Sequence, residues 1–256
     1  MIYLYALIED PAPGLTTAVQ TIPGLQGPLL LHSIGPWLLV WSDHDNAEIL
    51  PKRRHLLAHT RVLEGILPFG TLLPARFGLV AEDMGEVERM ILAKSTILAA
   101  EFARMRGCVE LGIRIRFPRQ AALAATLAED AALARDRDRL ARLGPEAHFA
   151  LAEFGGRLAD QLDRRRGAAQ QALCRALVPH CRAHVLRKPE DDTEVLRAEF
   201  LLPADHQPAF LAAVEAAAAS LGFAPGAEAE IRVVGPVPVY NFVRLSLAPD
   251  ASEEAA

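Results

Sequence analysis

The spacing of apolar residues predicts a chain that begins with strands. Residues 2–9 carry β-branched, aromatic and aliphatic side chains on both faces, which is typical of a central strand buried on both sides. Two further apolar runs, residues 29–34 and 37–41, predict a hairpin about Gly35 and Pro36. The N-terminal part of the chain is therefore expected to build a sheet.

Two helices and another strand are predicted to follow this hairpin. The first helix is expected to be capped by Asp43 or Asp45 and to end at about Leu67. A strand is predicted for residues 72–80. It leads into a second helix, which is expected to begin at Asp83 and whose apolar side chains recur at helical spacing over residues 87–105.

The next strand, residues 109–117, shows strict alternation. Its apolar side chains point one way and its charged ones the other: Val109, Leu111, Ile113, Ile115 and Phe117 against Glu110, Arg114 and Arg116. This pattern predicts a sheet with one face in the core and one in water. The element order β, short α, β, β, α, β, α, β predicts an α+β domain over residues 1–118, related to the ferredoxin-like plan.

The composition changes after residue 118 to Ala, Leu, Arg and Glu. Residues 119–179 predict a helical pair that is broken at Gly144 and Pro145 and is interrupted or exposed at Arg164–Gly167. A β-β-α-β-β series over residues 181–248 and a polar tail over residues 249–256 complete a second predicted α+β domain, 119–256. Its strands are expected at residues 183–187, 195–202, 230–234 and 240–247, and its helix at residues 205–222.

Composition narrows the functional class. The chain has 256 residues, 51% of them hydrophobic, and a formal net charge of −5, which argues against a nucleic-acid partner. The three cysteines follow no disulfide framework, which favours a reducing compartment. The first ten residues lack a basic leader, and no apolar run approaches the roughly 20 residues of a membrane span. We therefore expect a soluble cytoplasmic protein.

Two groups of residues offer metal-ligand chemistry. His55 and His59 lie four apart on a predicted helix, but arginines surround them, and a solvated helix face is the favoured interpretation. A second group, Cys174, His180, Cys181 and His184, matches no paired Cys-x-x-Cys spacing. In a strand, the odd separation of Cys181 and His184 would also place them on opposite faces. Neither group predicts a metal site.

The sequence offers no positive indication of catalysis. It contains no phosphate-binding glycine loop, no Gly-x-Ser-x-Gly elbow and no evident grouping of serine, histidine and acid. The distinctive stretches are instead rich in proline, glycine and aromatic residues. Residues 74–78 predict a tight strand entrance with Arg76 paired to Glu82 or Asp83. Residues 235–242 predict a bent edge strand.

Four stretches together resemble the gas vesicle protein F/L family (GvpF/GvpL). They are Tyr3-Leu4-Tyr5-Ala6, Leu73-Pro74-Ala75-Arg76-Phe77-Gly78, Val109-Glu110-Leu111-Gly112-Ile113-Arg114 and Gly235-Pro236-Val237-Pro238-Val239-Tyr240-Asn241-Phe242-Val243. The chain departs from the family pattern at a few positions. Ala6 stands where the family tends to have glycine, Val237 or Leu111 where it has tryptophan, and Val239 where it has a second proline.

The resemblance implies a two-domain α+β protein that is not an enzyme and needs no cofactor. It also implies a role in gas vesicle assembly in the cytoplasm, through contact with the small hydrophobic shell protein (GvpA-type) and with other gas vesicle accessory proteins. The residues that the motifs offer for partner contact are Arg76, Phe77, Gly78, Pro236, Tyr240 and Phe242.

Two other functions stay open from the residues alone. The first is a ligand- or metal-binding protein or enzyme of the ferredoxin-like superfold, with a closed pocket near His180 and His184. The second is a scaffold for another assembly that uses the helical residues 119–179. A pocket with convergent polar groups would favour the first of these.

Overall fold

The computed structural model describes residues 1–143 and 147–243, which form two compact units. The first unit contains residues 1–110 together with the described residues from Pro236 onward, and the second contains residues 111–235. Both units combine helices with a sheet, so the predicted α+β fold class is confirmed. None of the helices in the described parts combines the length and apolar character that crossing a bilayer requires.

The first unit is built on an antiparallel sheet. Its strands are β1 (Ile2–Glu9), β2 (Leu30–Ile34), β3 (Trp37–Asp43), β4 (Thr71–Pro74) and β5 (Val80–Ala81). The order is β2-β3-β1-β4, with β5 also pairing with β1. In register, Leu7 lies opposite Leu39 on one side and Leu73 on the other. As predicted, β1 is central, and its residues Ile2 to Ile8 are buried.

Helices supply the apolar groups that bury this sheet. They are α1 (Leu15–Thr21), α2 (Arg53–Ile66), α3 (Met84–Ala93) and α4 (Ser95–Met105). Leu15 and Val19 of α1 and Val62, Leu63 and Ile66 of α2 join the tyrosines of β1 in one core cluster. The series β1-α1-β2-β3-α2-β4 is the βαββαβ order of the ferredoxin-like plan, as the sequence predicted.

Two boundaries in this unit differ from the prediction. The helix expected from Asp43 or Asp45 begins only at Arg53, because β3 extends to Asp43 and Pro51 holds the preceding chain extended. The strand expected over residues 72–80 is two short strands, β4 and β5, separated by an irregular segment, residues 75–79.

The predicted helix over residues 87–105 is two helices. Its start is as expected, because the Asp83 carboxylate caps α3 by accepting from the Glu86 N–H at 2.8 Å. Lys94 then leaves helical geometry, with φ −101° and ψ 13°, so α4 begins afresh at Ser95. The apolar stripe continues across the break, since Val87, Ile91, Leu98 and Phe102 are all buried.

The second sheet contains β6 (Cys108–Arg116), β7 (Ala183–Leu186), β8 (Glu194–Pro203) and β9 (Glu230–Val237), in the order β7-β8-β6-β9. The predicted element order gave β6 to the N-terminal sheet. That assignment is wrong, because β6 pairs with β8 and β9. The predicted domain boundary between residues 118 and 119 stays a prediction.

The helices of the second unit are α5 (Arg119–Glu129), α6 (Ala131–Leu140), α7 (His148–Leu177) and α8 (Gln207–Ala219). The described part of residues 119–179, predicted to form a helical pair, therefore contains three helices, α5, α6 and α7. Asp130 separates α5 from α6 by capping the N–H groups of Ala132 and Leu133. The expected break at residues 144–145 lies outside the described residues. Residues 164–167 were expected to interrupt the helix or to be exposed; α7 continues through them, and Arg164 is the one of the four that is exposed.

The strand predicted for residues 240–247 is wrong in its described part. After β9 the chain turns, with the Tyr240 N–H donating to the Pro238 carbonyl at 2.7 Å and the Phe242 N–H to the Val239 carbonyl at 3.2 Å. Pro238 has no N–H to offer a neighbouring strand, which favours this turn. Residues 244–247 and the predicted tail, residues 249–256, lie outside the described residues.

Candidate functional site

A cavity of about 800 Å³ opens in the first unit. Four groups of residues line it: Ala47, Glu48 and Ile49 after β3; Leu56, His59 and Thr60 on α2; Pro74 at the end of β4 with Ala75 to Leu79 after it; and Tyr240 with Val243. Its walls combine apolar side chains with the polar groups of Glu48, His59, Thr60, Arg76 and Tyr240. This size and character are typical of a binding pocket.

His59 is the most buried polar side chain that lines the cavity, with 4% of the residue exposed. Its ring packs against the rings of Tyr5 and Phe77, with centroids 5.6 and 5.7 Å away. The Tyr3 hydroxyl lies 2.8 Å from Nδ1 of His59 and accepts the Gly78 N–H at 3.4 Å. These contacts fix the ring between β1 and the segment that precedes Gly78.

The protonation of His59 follows from this packing. Burial lowers the pKa of its imidazole from 6.5 to about 4, while the Ala75 backbone opposes this shift. The ring is therefore neutral near pH 7. The Tyr3 hydroxyl and Nδ1 of His59 share one hydrogen bond, in which the tautomer of the ring decides the donor. Nε2 is shielded from solvent, and a hydrogen bond with the Ala75 backbone is what opposes the lowering of the pKa.

This environment overturns the solvated interpretation of His59. Only His55 lies at the surface, where Arg54 donates to its Nε2 at 3.0 Å and its Nδ1 bonds the Leu50 carbonyl at 3.0 Å. The two rings therefore have different hydrogen-bond partners: Arg54 and Leu50 for His55, and Tyr3 for His59. Among the described residues no group of three or more His, Cys, Asp or Glu side chains is arranged to hold a metal ion.

The segment from Pro74 to Gly78 forms one wall of the cavity. It leaves the sheet after the Ala75 N–H donates to the Tyr5 carbonyl at 2.7 Å, and it returns where the Leu4 N–H donates to the Leu79 carbonyl at 3.1 Å. Gly78 has a φ of +86°, which lies in the left-handed region that favours glycine. The segment therefore needs a glycine at its return point.

The turn that carries Tyr240 is anchored by a buried carboxylate. Glu110, 1% exposed, accepts the Asn241 backbone N–H at 3.0 Å and its side-chain amide at 2.5 Å. Arg104 donates to the Phe242 carbonyl. Tyr240 itself is 38% exposed. Partial burial still raises the pKa of its phenol, an effect that a hydrogen bond with Thr60 opposes.

Glu110 is a residue whose role the sequence analysis missed. Alternation along β6 placed it on a face in water, and the structure buries it instead. The reason is the turn at Asn241, which brings two N–H donors to the carboxylate from 131 residues away. The available signal was an acidic residue among the apolar residues of a strand. Burying its carboxylate is favourable only when hydrogen-bond donors from a distant part of the chain reach it.

The structure brings together four of the six residues that the motifs offered for partner contact. Arg76, Phe77, Gly78 and Tyr240 line the one cavity. Phe242 is 5% exposed and packs inside, so it holds the turn rather than offering surface. The sixth residue, Pro236, is exposed on β9 and is not among the lining residues.

The expected ion pair of Arg76 with Glu82 or Asp83 is not formed. Arg76 is exposed and has no ion pair within residues 1–143 and 147–243. The Asp83 carboxylate is instead engaged at the start of α3. The guanidinium of Arg76 is therefore available at the rim of the cavity.

The cysteine and histidine group of the second unit gives no comparable site. Cys174 and Cys181 are half-buried free thiols, and burial raises the pKa of both. The His184 side chain is exposed and stacks against Phe200, with ring centroids 6.1 Å apart. A smaller cavity of about 260 Å³ in this unit is lined by other residues, among them Glu129, Arg165 and Phe223.

Comparison with known proteins gives consistent matches along nearly the whole chain. The family model described as "Gas vesicle synthesis protein GvpL/GvpF" matches residues 1–244. Gas vesicle protein F of Microcystis aeruginosa is 30% identical over 221 residues, which cover 84% of this chain and 88% of that relative.

Two solved structures share the fold. The crystal structure of GvpF from Microcystis aeruginosa has a TM-score of 0.71 and 28% identity, and the match covers 95% of this chain and 99% of that one. The crystal structure of GvpF from Anabaena sp. PCC7120 has a TM-score of 0.74 at 24% identity, with 96% of each chain covered.

Proposed function

Because the chain belongs to the gas vesicle synthesis protein GvpL/GvpF family, we propose that it is a non-enzymatic accessory protein of gas vesicle assembly that binds the hydrophobic shell protein. The observation that carries this proposal is the cavity of about 800 Å³, lined by Arg76, Phe77, Gly78 and Tyr240. The proposal places the protein in the cytoplasm and at gas vesicles. Its partners are the shell protein (GvpA-type) and other gas vesicle accessory proteins.

The physical need for such a protein follows from the shell. A wall that excludes water requires subunits with a strongly apolar face, and such a face promotes aggregation before assembly. A concave apolar surface can cover it during transfer. Leu56, which lines the cavity, is 41% exposed.

The chemistry of the cavity supports a binding role rather than a catalytic one. The lining residues include Glu48 as an acid and His59 as a neutral imidazole, and their hydroxyls are those of Thr60 and Tyr240, which hydrogen-bond each other. The hydroxyl nearest His59, that of Tyr3, belongs to a residue with 0% exposure and is not among the lining residues. Among the described residues, His59 bonds Tyr3 and the lining hydroxyls of Thr60 and Tyr240 bond each other, which gives no sign of a nucleophile paired with a base.

The test is retention of the shell protein by this protein when the two are co-expressed without other gas vesicle proteins. The Tyr240→Ala and Arg76→Ala variants together should reduce retention about tenfold, since anchors at a pocket carry much of the binding free energy. The matched control is Phe149→Ala with Arg135→Ala, two exposed side chains in the second unit.

Folding of every variant is checked by circular dichroism before retention is compared. Equal retention by the cavity variant and the parent, both folded, would show that the shell protein binds elsewhere. No retention by the parent, with the shell protein in the lysate supernatant, would show that this protein does not bind it directly.

A further inference from the structure

β9 leaves a long edge of the second sheet exposed. It is the end strand in the order β7-β8-β6-β9, and six of its eight residues are exposed. The other edge strands of the two described sheets are shorter and better covered. β2 has one exposed residue among five and β7 two among four, whereas β4 and β5 have none. Because an edge strand presents backbone N–H and C=O groups to any further strand, β9 is the edge most open to pairing.

The residues at the end of β9 limit pairing to its first part. Gly235 has a φ of +124°, which lies in the left-handed region, and Pro236 has no backbone N–H. A kink and a proline both oppose the addition of a strand. Glu230 to Val234 contain neither glycine nor proline, so this part of the edge keeps every N–H group that pairing requires.

Two opposite charges stand on one face of this first part. Val234 shares a face of the sheet with Gly112 and Glu199, since a Cβ on Gly112 would lie 3.5 Å from the Val234 Cβ and 2.6 Å from the Glu199 carboxylate. Side chains alternate along a strand, so Glu230 and Arg232 point to this same face. Both are exposed, and among residues 1–143 and 147–243 neither forms an ion pair.

The order of these charges is complementary to itself in an antiparallel pair. When two copies of β9 pair about Ile231, Glu230 of each copy faces Arg232 of the other, and the two-fold symmetry gives this ion pair twice. Pairing about residue 232 or residue 230 instead places two arginines or two glutamates opposite each other, which is unfavourable. The charges therefore select the register about Ile231.

The other face of the same pair is apolar. The register about Ile231 sets this side chain beside its own copy, and it sets Val233 beside Ala229 of the other chain. Val233 is 41% exposed, so pairing covers apolar surface that β9 otherwise leaves in water. β-branched side chains in such cross-strand positions stabilise an antiparallel pair.

We propose that two copies of this chain associate through β9, in antiparallel register about Ile231, to form one continuous sheet with two Glu230–Arg232 ion pairs. A second copy is the partner because the charges of β9 are complementary to β9 itself. The contact contains only a few residues of each strand, so we expect a dissociation constant of about 10 µM. The inference goes beyond shell-protein binding and does not depend on it.

The experiment is sedimentation velocity of the full chain over concentrations of about 1 to about 200 µM, which bracket the expected dissociation constant. The parent should shift reversibly from monomer to dimer, and added salt should weaken the dimer. Arg232→Glu places glutamates opposite each other twice, and Glu230→Arg does the same with arginines. Each single variant should weaken the dimer by about tenfold.

The decisive sample is an equal mixture of these two single variants. One chain then carries two arginines at positions 230 and 232 and the other two glutamates, so both cross-strand pairs are again of opposite charge. The mixture should associate within about threefold of the parent, and so should the double variant Glu230→Arg with Arg232→Glu. The matched controls, Glu215→Arg and Arg135→Glu, change exposed residues of α8 and α6 and should leave the dimer of the parent unchanged.

Circular dichroism checks the fold of each variant before the masses are compared. A parent that stays monomeric at about 200 µM would overturn the inference. So would a mixture that associates no better than its two components, because the dimer would then use another surface. A monomeric parent whose retention of the shell protein falls with Glu230→Arg would also overturn it, since the edge would then take a strand of a different chain.

Discussion

His59 couples the stability of the first unit to pH. Its ring is buried between Tyr5 and Phe77 and is neutral because burial lowers its pKa to about 4. An unfolded chain returns the imidazole to its ordinary pKa of about 6.5. The imidazole is therefore protonated below about pH 6.5 in the unfolded state, but only below about pH 4 in the folded state.

The expected consequence is a loss of stability on mild acidification. Stability from this group is fully present above about pH 6.5 and falls as the pH drops toward about 4. Between about pH 8 and about pH 5 the free energy of unfolding should decrease by about 2 kcal/mol. Trp37 and Trp41 are the only tryptophans in the sequence and both lie in β3, so their fluorescence during urea unfolding reports on this unit.

The matched variant is His59→Phe, which keeps a ring without a titrating nitrogen. It is expected to be less stable at every pH, because the buried Tyr3 hydroxyl loses its hydrogen-bond partner. The pH dependence between about pH 8 and about pH 5 should nevertheless largely disappear. An unchanged dependence in this variant would mean that other groups cause it.

At the scale of elements, Arg165 holds the helices of the second unit together. Its side chain is 8% exposed. From α7 it donates to both carboxylate oxygens of Glu129 at 2.7 and 2.8 Å, to the Thr126 hydroxyl at 3.0 Å, and to the Gly222 carbonyl at 3.1 Å. It also lies over the Phe223 ring, 5.4 Å from the centroid. One residue thus joins α5, α7 and the turn after α8.

This arrangement depends on the planar fork of arginine. Arg165→Lys keeps the charge, but its single nitrogen cannot donate to Glu129, Thr126 and Gly222 at once. We therefore expect the free energy of unfolding to fall by about 2 kcal/mol. Arg164→Lys is the neighbouring control. Arg164 is exposed and bonds only Gln161 among the described residues, and its replacement should cost less than about 0.5 kcal/mol. Urea unfolding followed by far-ultraviolet circular dichroism compares the two, and equal shifts would refute the role of Arg165.

At the scale of the whole molecule, the two units divide the chain differently from the sequence-based boundary. Composition predicted a division after residue 118, whereas the compact second unit contains residues 111–235. The difference concerns β6, which lies between β8 and β9 in the second sheet. Ile113 and Ile115 of this strand have 0% exposure, so β6 contributes to the core as well as to the pairing.

Two fragments distinguish these boundaries. A fragment of residues 107–238 retains β6 and should unfold cooperatively, because its sheet and helices are complete. A fragment of residues 119–238 lacks β6, which would separate β8 from β9, and should show no cooperative transition. Thermal unfolding by circular dichroism provides the measurement. Cooperative unfolding of the shorter fragment would favour the boundary at residue 118.

The amino-acid sequence alone determined what depends on neighbouring residues. The apolar run of β1 indicated a strand buried on both faces, Asp83 indicated the start of α3, and the order of elements indicated an α+β fold. The motifs around Arg76 and Tyr240 also indicated the family. Each of these features follows from local periodicity, local capping or a contiguous stretch of residues.

Only the tertiary structure decided what depends on distant residues. Glu110 is buried because donors arrive from Asn241, and His59 is buried because Tyr3, 56 residues earlier, bonds its ring. The cavity joins the loop after β3, α2, the segment before Gly78 and the turn at Tyr240. Alternation and helical spacing describe which side chains share a face of one element. They carry no information about which other element covers that face. The packing of these elements against one another is what forms the cavity.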